Sequence, residues 1–250
     1  MIAFQQMSVA VGKGFVRDRA ALFFSFLLPL FFLVLFAILF GAMEGSENTL
    51  EPIQYIAPGI LSFGIAMSAV TASALTLVTW RQNGLLRRLR LTPVNPFTIL
   101  TSRFAVTVVV AVLQAALFLG VAFLPFFGLR LESTWWMAIP LFLIGVLSFF
   151  SLGILIGSLF RTEQSASAAA NLIVLPLGFL SGTFFPLDFA PSWMDTVSLA
   201  SPLRHMNDGM LALLVRGEGP EALLVPCGVL LLFTLVTTGL AGYFITRGEQ

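Results

Sequence analysis

Charge is what this sequence has least of. Only 25 of its 250 residues are Asp, Glu, Lys or Arg, a tenth of the chain, where a soluble domain carries about a quarter. Histidine and cysteine each occur once, as His205 and Cys227. A lone cysteine excludes an internal disulfide, and a lone histidine leaves no Cys/His cluster to hold a metal. The only lysine, Lys13, lacks the upstream glycine of a phosphate-binding G-x-x-x-x-G-K-[ST] loop, so the chain has no such route to ATP. Apolar residues fill the space: 58% of the chain is hydrophobic. No soluble domain of this size hides that much apolar surface. A soluble enzyme, a disordered chain and a disulfide-stapled secreted domain are excluded. The net charge of +1 argues against a nucleic-acid binder driven by global positive charge. What remains is a membrane protein.

Six stretches contain no charged residue: 20–43, 52–80, 104–129, 133–160, 164–187 and 222–246. Each is long enough for one helix to cross the hydrocarbon, which takes about 20 residues. None alternates as a barrel strand does. The expected fold is therefore all-α, a polytopic membrane protein with six transmembrane helices at about 22–43, 55–80, 104–127, 135–159, 165–186 and 222–246. Six spans put both termini on one side. Ten basic residues fall on that side (Lys13, Arg17, Arg19, Arg81, Arg87, Arg88, Arg90, Arg103, Arg161 and Arg247) and three on the other. The positive-inside rule then places both termini in the cytoplasm, with the chain in the plasma membrane. Nine of the twelve acids lie on the opposite face.

Residues 1–21 read as a cytoplasmic amphipathic helix, because Phe4, Met7, Val11 and Phe15 recur at helical spacing with Lys13 and Arg17 elsewhere on the wheel. A cleaved signal peptide does not fit, since the apolar run from Ala20 far exceeds a signal core. The loop over 81–103 carries a basic segment bounded by Gly84 and Pro93. Leu85, Leu86 and Leu89 share one face there, and Arg87 and Arg90 project elsewhere. The plain alternative is a positive-inside anchor. Between spans five and six, residues 183–216 are too apolar for a free loop, yet are broken by prolines and dotted with charge. Short re-entrant or interfacial helices fit that segment best, with Trp193 at headgroup level.

No span holds an acid or base at mid-depth, which disfavours an ion-coupled carrier. An intramembrane protease would need a serine and histidine paired inside the bilayer, and His205 lies in an outer segment. A pore would show a charged ring or a filter-like loop, and neither is present. Any work this chain does draws its energy from a partner.

The pattern R-x-x-G-x-L-x-R-L-R-x-T-P at 81–93, followed by Arg103, resembles the loop between spans two and three of type-2 ATP-binding-cassette permeases. The S-G-x-F-F-P-L run at 181–187 is similar to the same family's end of span five. So are Pro191, Trp193, the turn at Pro202-Leu203-Arg204, and the 157–171 segment with Arg161-Thr162-Glu163-Gln164. Gln82-Asn83 departs from the pattern, since family members often carry an acid there.

The resemblance implies a permease subunit of an ATP-driven exporter of hydrophobic or amphipathic compounds, for efflux of drugs, antibiotics or lipids. A polysaccharide or glycolipid exporter is the alternative. A rival of another class is an integral membrane enzyme with its site in the outer 188–208 loop, among Asp188, Arg204, His205 and Asp208. On the leading reading the chain has no cofactor of its own, and ATP and Mg sit on a partner ATPase subunit. That subunit docks on a short cytoplasmic coupling helix, through Arg81, Gly84, Leu85, Leu86, Arg87, Arg88, Leu89 and Arg90. A second permease copy or a paralogue completes a dimer in the lipid bilayer, and no nucleic acid is involved. Family members line the substrate path with spans two and five, which here assigns Ser68, Thr71, Thr76 and Thr79, and Gln164, Asn171 and Gly178. Small residues also serve helix packing, and for the glycines of Gly153-x-x-x-Gly157 and Gly178-x-x-x-Gly182 a close-approach seam is the preferred reading over substrate contact.

Overall fold

The computed structural model describes residues 19–41, 52–84, 96–184 and 190–247. The structure over those residues is helical. Its longer helices are α1 (Arg19–Gly41), α2 (Pro52–Gln82), α3 (Pro96–Ala122), α4 (Ala138–Leu159), α5 (Glu163–Leu180) and α8 (Leu224–Arg247). Two short ones, α6 (Ser192–Ser198) and α7 (Pro202–Leu214), lie between α5 and α8. Single 3-10 turns at Trp135–Met137 and Pro220–Leu223 lead into α4 and α8. The expected amphipathic segment lies outside the described residues up to position 18, and 19–21 already belong to α1.

Among the described residues, four segments are long and apolar enough to cross a membrane: Ile53–Gln82, Thr98–Ala122, Trp135–Leu159 and Pro220–Ile245. A shorter apolar segment, Ser25–Leu39, lies in α1. The helices sort into inner and outer. In the spans of α2 and α4, 67% and 61% of the apolar window is buried, against 22% in those of α3 and α8. Helix α2 is the hub, packing most extensively on α4 and also on α1, α5, α7 and α3. Its partner α4 packs in turn on α8. The exposed faces of α3 and α8 are aliphatic, with Val109, Leu113, Leu232 and Leu235 turned outward. Such faces are stable only against hydrocarbon or another apolar surface.

Close approach at the centre rests on glycine. A side chain on Gly153 would collide with the Ser73 hydroxyl and the Val70 carbonyl of α2, and one on Gly157 would come within 2.8 Å of the Ala74 carbonyl. This is the small-residue seam that lets two backbones meet without a hydrophobic driving force. Gly64 plays the same part toward α1, where the Pro29 ring fills the notch.

The boundaries differ from the charge-free runs in an instructive way. Helix α2 continues through Arg81 to Gln82, and α3 already begins at Pro96. Residues 96–103, read from the sequence as loop, are thus helical, and Arg103 stands inside α3. Arginine is tolerated near a span end because its apolar stem is long and its head finds polar partners. Charge therefore marks the start of a helix poorly. At the other end, α3 stops at Ala122, five residues short of the expected 127, and a turn closed by Gly128 (φ +65°) follows. Helix α5 likewise stops at Leu180, with Gly182 in the left-handed region.

Candidate functional site

Helix α2 is buried on most of its circumference, but Ser68, Thr71, Ala72, Leu75, Thr76 and Thr79 are half-exposed. On a 3.6-residue helix these positions form one face. Helix α3 flanks that face on one side and α5 on the other.

On the α5 side lies an open groove of about 510 Å³, lined by Leu75 of α2 and by Glu163, Gln164, Ser167, Ala168 and Asn171 of α5. Leucine and alanine supply an apolar floor, and two amides, a hydroxyl and one carboxylate supply a polar rim. Such a surface suits a molecule with both an apolar body and polar substituents. Helix α5 begins there because Thr162 caps it, its Oγ1 accepting from the Ser165 amide at 3.3 Å. Glu163 follows in the first turn, where a carboxylate also complements the helix dipole.

The end of α2 is tied to the link between α4 and α5. Thr79 Oγ1 donates to Glu163 Oε1 at 2.6 Å. The Arg81 guanidinium donates to the carbonyls of Phe160 (3.3 Å) and Ser158 (3.4 Å), and Gln82 Nε2 donates to the Arg161 carbonyl at 3.0 Å. Four donor–acceptor pairs thus fasten the last turn of α2. Gly84, with φ +64°, then terminates the helix. The other expected coupling residues, Leu85, Leu86, Arg87, Arg88, Leu89 and Arg90, lie outside the described residues.

The remaining expected path residues divide. Gln164 and Asn171 line the groove. Thr79 reaches it through Glu163. The Thr76 hydroxyl is turned back onto the Ala72 carbonyl at 2.6 Å, and Thr71 Oγ1 is buried without a hydrogen-bond partner. Ser68 faces α3 rather than α5 and bonds Gln114 Oε1 at 2.9 Å. Gly178 is a packing position, since a side chain there would come within 2.7 Å of the Phe63 ring. That ring belongs to a cluster with Phe32 and Phe184 at centroid distances of 5.1–6.2 Å. Glu163, Arg103 and Gln114 were not singled out as site residues from the sequence. For Gln114 a signal existed, as an amide in an otherwise nearly apolar run.

Among the described residues between α5 and α8, Arg204 and His205 serve as supports. Arg204 pairs with Asp195 at 2.6 Å and with Asp208 at 3.4 Å, bracing α6 against α7. His205 Nε2 lies 2.9 Å from the Leu199 carbonyl. Asn207 donates to the Ser181 carbonyl (3.3 Å) and to Thr183 Oγ1 (2.7 Å), and the Ser181 and Ser201 hydroxyls pair at 2.7 Å. The serine–glycine–threonine turn after α5 is thus bound to the buried face of α7. Asp188, the remaining member of the expected enzyme cluster, lies outside the described residues.

The family described as ABC-2 type transporter matches residues 3–215. The chain belongs to that family. It is similar to ycf38 of Cyanophora paradoxa, named as a transport permease, with 33% identity over 80% of this chain and 71% of that protein. The inner membrane transport permease YhhJ of Escherichia coli (strain K12) is 30% identical over 63% of this chain and 42% of its own length. The daunorubicin resistance ABC transporter permease protein DrrB1 of Streptomyces coeruleorubidus is 27% identical over 72% of this chain and 63% of its own length. The chain thus spans about two-fifths of YhhJ and somewhat under two-thirds of DrrB1. With these relatives and its apolar helices, the chain is a multi-pass membrane protein and an ABC transporter membrane subunit. Membership of the family implies partnership with a cytoplasmic ATPase and dimerisation in the membrane.

Proposed function

We propose that this chain is the permease of an ATP-driven exporter that moves hydrophobic or amphipathic compounds, drug-, antibiotic- or lipid-like, out of the cytoplasm. Six spans cross the plasma membrane, α1 and α5 joining the four long apolar helices, with both termini cytoplasmic. ATP and Mg act on a separate ATPase subunit. That subunit docks on the 84–91 segment, and a second permease copy or a paralogue faces the groove. Residues 183–216, with α6 and α7, form the outer re-entrant segment.

The observation that carries this reading is the groove between α2 and α5, whose apolar floor and uncrowded polar rim lie beside the fastened end of α2. Movement imposed on the loop after Gln82 reaches α5 directly through Thr79 and Glu163, and reaches the link that precedes α5 through Arg81 and Gln82; α5 is the wall of the groove. Daunorubicin resistance in the name of DrrB1 supports the substrate class.

The test is co-expression with candidate ATPase subunits, followed by copurification and ATP-dependent uptake of a fluorescent amphiphile into inverted vesicles. Copurification and uptake are expected, and Arg87→Glu/Arg88→Glu should abolish both. Full uptake by that double variant would defeat the docking assignment. Uptake of oligosaccharide but not of amphiphile would replace the substrate class.

A further inference from the structure

Arg103 stands five residues into the apolar stretch Thr98–Ala122 and is 6% exposed. A guanidinium carries five N–H donors and a fixed positive charge, and burial is tolerated when acceptors and an opposite charge meet them. Here the match is incomplete. Nη2 donates to the Ala72 carbonyl at 2.9 Å, an acceptor that the Thr76 hydroxyl also uses. Nε is buried without a hydrogen-bond partner. Among the described residues, the ion pairs belong to Arg204 and Arg216, so no carboxylate meets Arg103.

A cavity lies beside this cation. Ser68 and Ala72 of α2 and Arg103, Val106, Thr107 and Val110 of α3 line this cavity of about 10 Å³, on the scale of a single small occupant. Its walls hold a guanidinium and two hydroxyls and no acid. Farther along the same α2–α3 seam, the Gln114 Nε2 amide is a second buried donor without a partner.

We infer that this cavity binds a single small anion of the halide class, chloride in practice, held by the Arg103 guanidinium. A water could accept hydrogen bonds from the guanidinium but would leave the buried charge uncompensated, whereas a halide supplies both the acceptor and the charge. Inorganic phosphate or a phospholipid headgroup offers the charge but exceeds the room. Seated there, the anion fastens the outer helix α3 to the hub α2.

The experiment follows thermal unfolding of the full chain in detergent, with chloride replacing gluconate at constant ionic strength. A saturable rise of about 2–4 °C is expected at chloride roughly tenfold above its dissociation constant. Bromide should reproduce the rise, and Arg103→Gln should remove it. If Arg103→Gln does not fold, saturable chlorine NMR line broadening by the wild-type chain, competed by bromide, is expected instead. Three results overturn the assignment: no chloride dependence of the wild type, which means water alone; an unchanged dependence in folded Arg103→Gln; or equal stabilisation by inorganic phosphate.

Discussion

The hydroxyl of Thr79 donates to the carboxylate of Glu163 across 2.6 Å, joining the last turn of α2 to the first turn of α5. The residues are 84 positions apart, and both helix ends border the groove side of the bundle. A hydrogen bond to a charged acceptor contributes about 1.5–3 kcal/mol net when sheltered and less where water competes. Its position matters more than its strength, because it bridges the helix that leads into the basic loop and the helix that walls the groove.

Thr79→Val and Glu163→Gln should each slow ATP-dependent uptake several-fold while leaving copurification with the ATPase intact. In a double-mutant cycle on thermal stability the two changes should couple by about 1 kcal/mol, the second costing little once the first is made. Independent, additive losses would show that the contact is incidental.

Gly153 and Gly239 should behave oppositely. Alanine at Gly153 meets the Ser73 hydroxyl and the Val70 carbonyl, so Gly153→Ala should destabilise by about 1–3 kcal/mol, the usual cost of overpacking. Nothing lies within 4 Å of a side chain added at Gly239, on the outer helix α8. Gly239→Ala should be neutral or stabilising by up to about 1 kcal/mol, since alanine suits a helix interior better. Unfolding midpoints of the two purified variants decide the matter.

Asn171→Ala and Gly178→Ala separate groove from packing. The first should change the KM or the preference among transported amphiphiles, with stability within about 0.5 kcal/mol of wild type. The second should lower the unfolding midpoint, because its methyl group meets the Phe63 ring. A selectivity change in Gly178→Ala without loss of stability would return that glycine to the substrate path.

Asn207→Ala should loosen the turn after α5. The amide is 6% exposed and its two donor contacts hold Ser181 and Thr183, so its loss leaves buried acceptors unmet at about 1–3 kcal/mol. A cysteine introduced at Thr183, fully buried in the structure, should label faster with a membrane-impermeant maleimide when Asn207 is also replaced.

Helix positions were legible because the bilayer penalises charge: each charge-free run coincides with one of the long helices α1–α5 and α8. Their ends were not, since Arg81 and Arg103 find backbone carbonyls and continue their helices into what charge alone marks as loop. The short helices α6 and α7 were partly readable from prolines interrupting an apolar segment, although the anchoring of α7 through Asn207 was not. In the groove, Gln164 and Asn171 fall seven residues apart on one helical face, so the sequence exposed them. Glu163, noticed only as part of the 157–171 segment, was not assigned to the site because its meaning depends on Thr79, a partner that only the packing of α2 against α5 supplies. Gly178 could not be assigned from its spacing, since a glycine stripe looks the same whether it faces a ligand or a phenylalanine ring.

The length of α2 gives the molecule a transmission line. Its 31 residues extend about 46 Å, and from Gly59 to Gln82 the sequence has no proline to absorb strain. At the end away from Thr79, the backbone of Gly59 abuts Thr183 so closely that an added Cβ would lie 2.7 Å from its carbonyl oxygen. One continuous helix thus reaches both ends of α5, through the Thr79–Glu163 contact at its start and the Gly59–Thr183 contact at the turn after its end. The two ends of the groove wall answer to one rod.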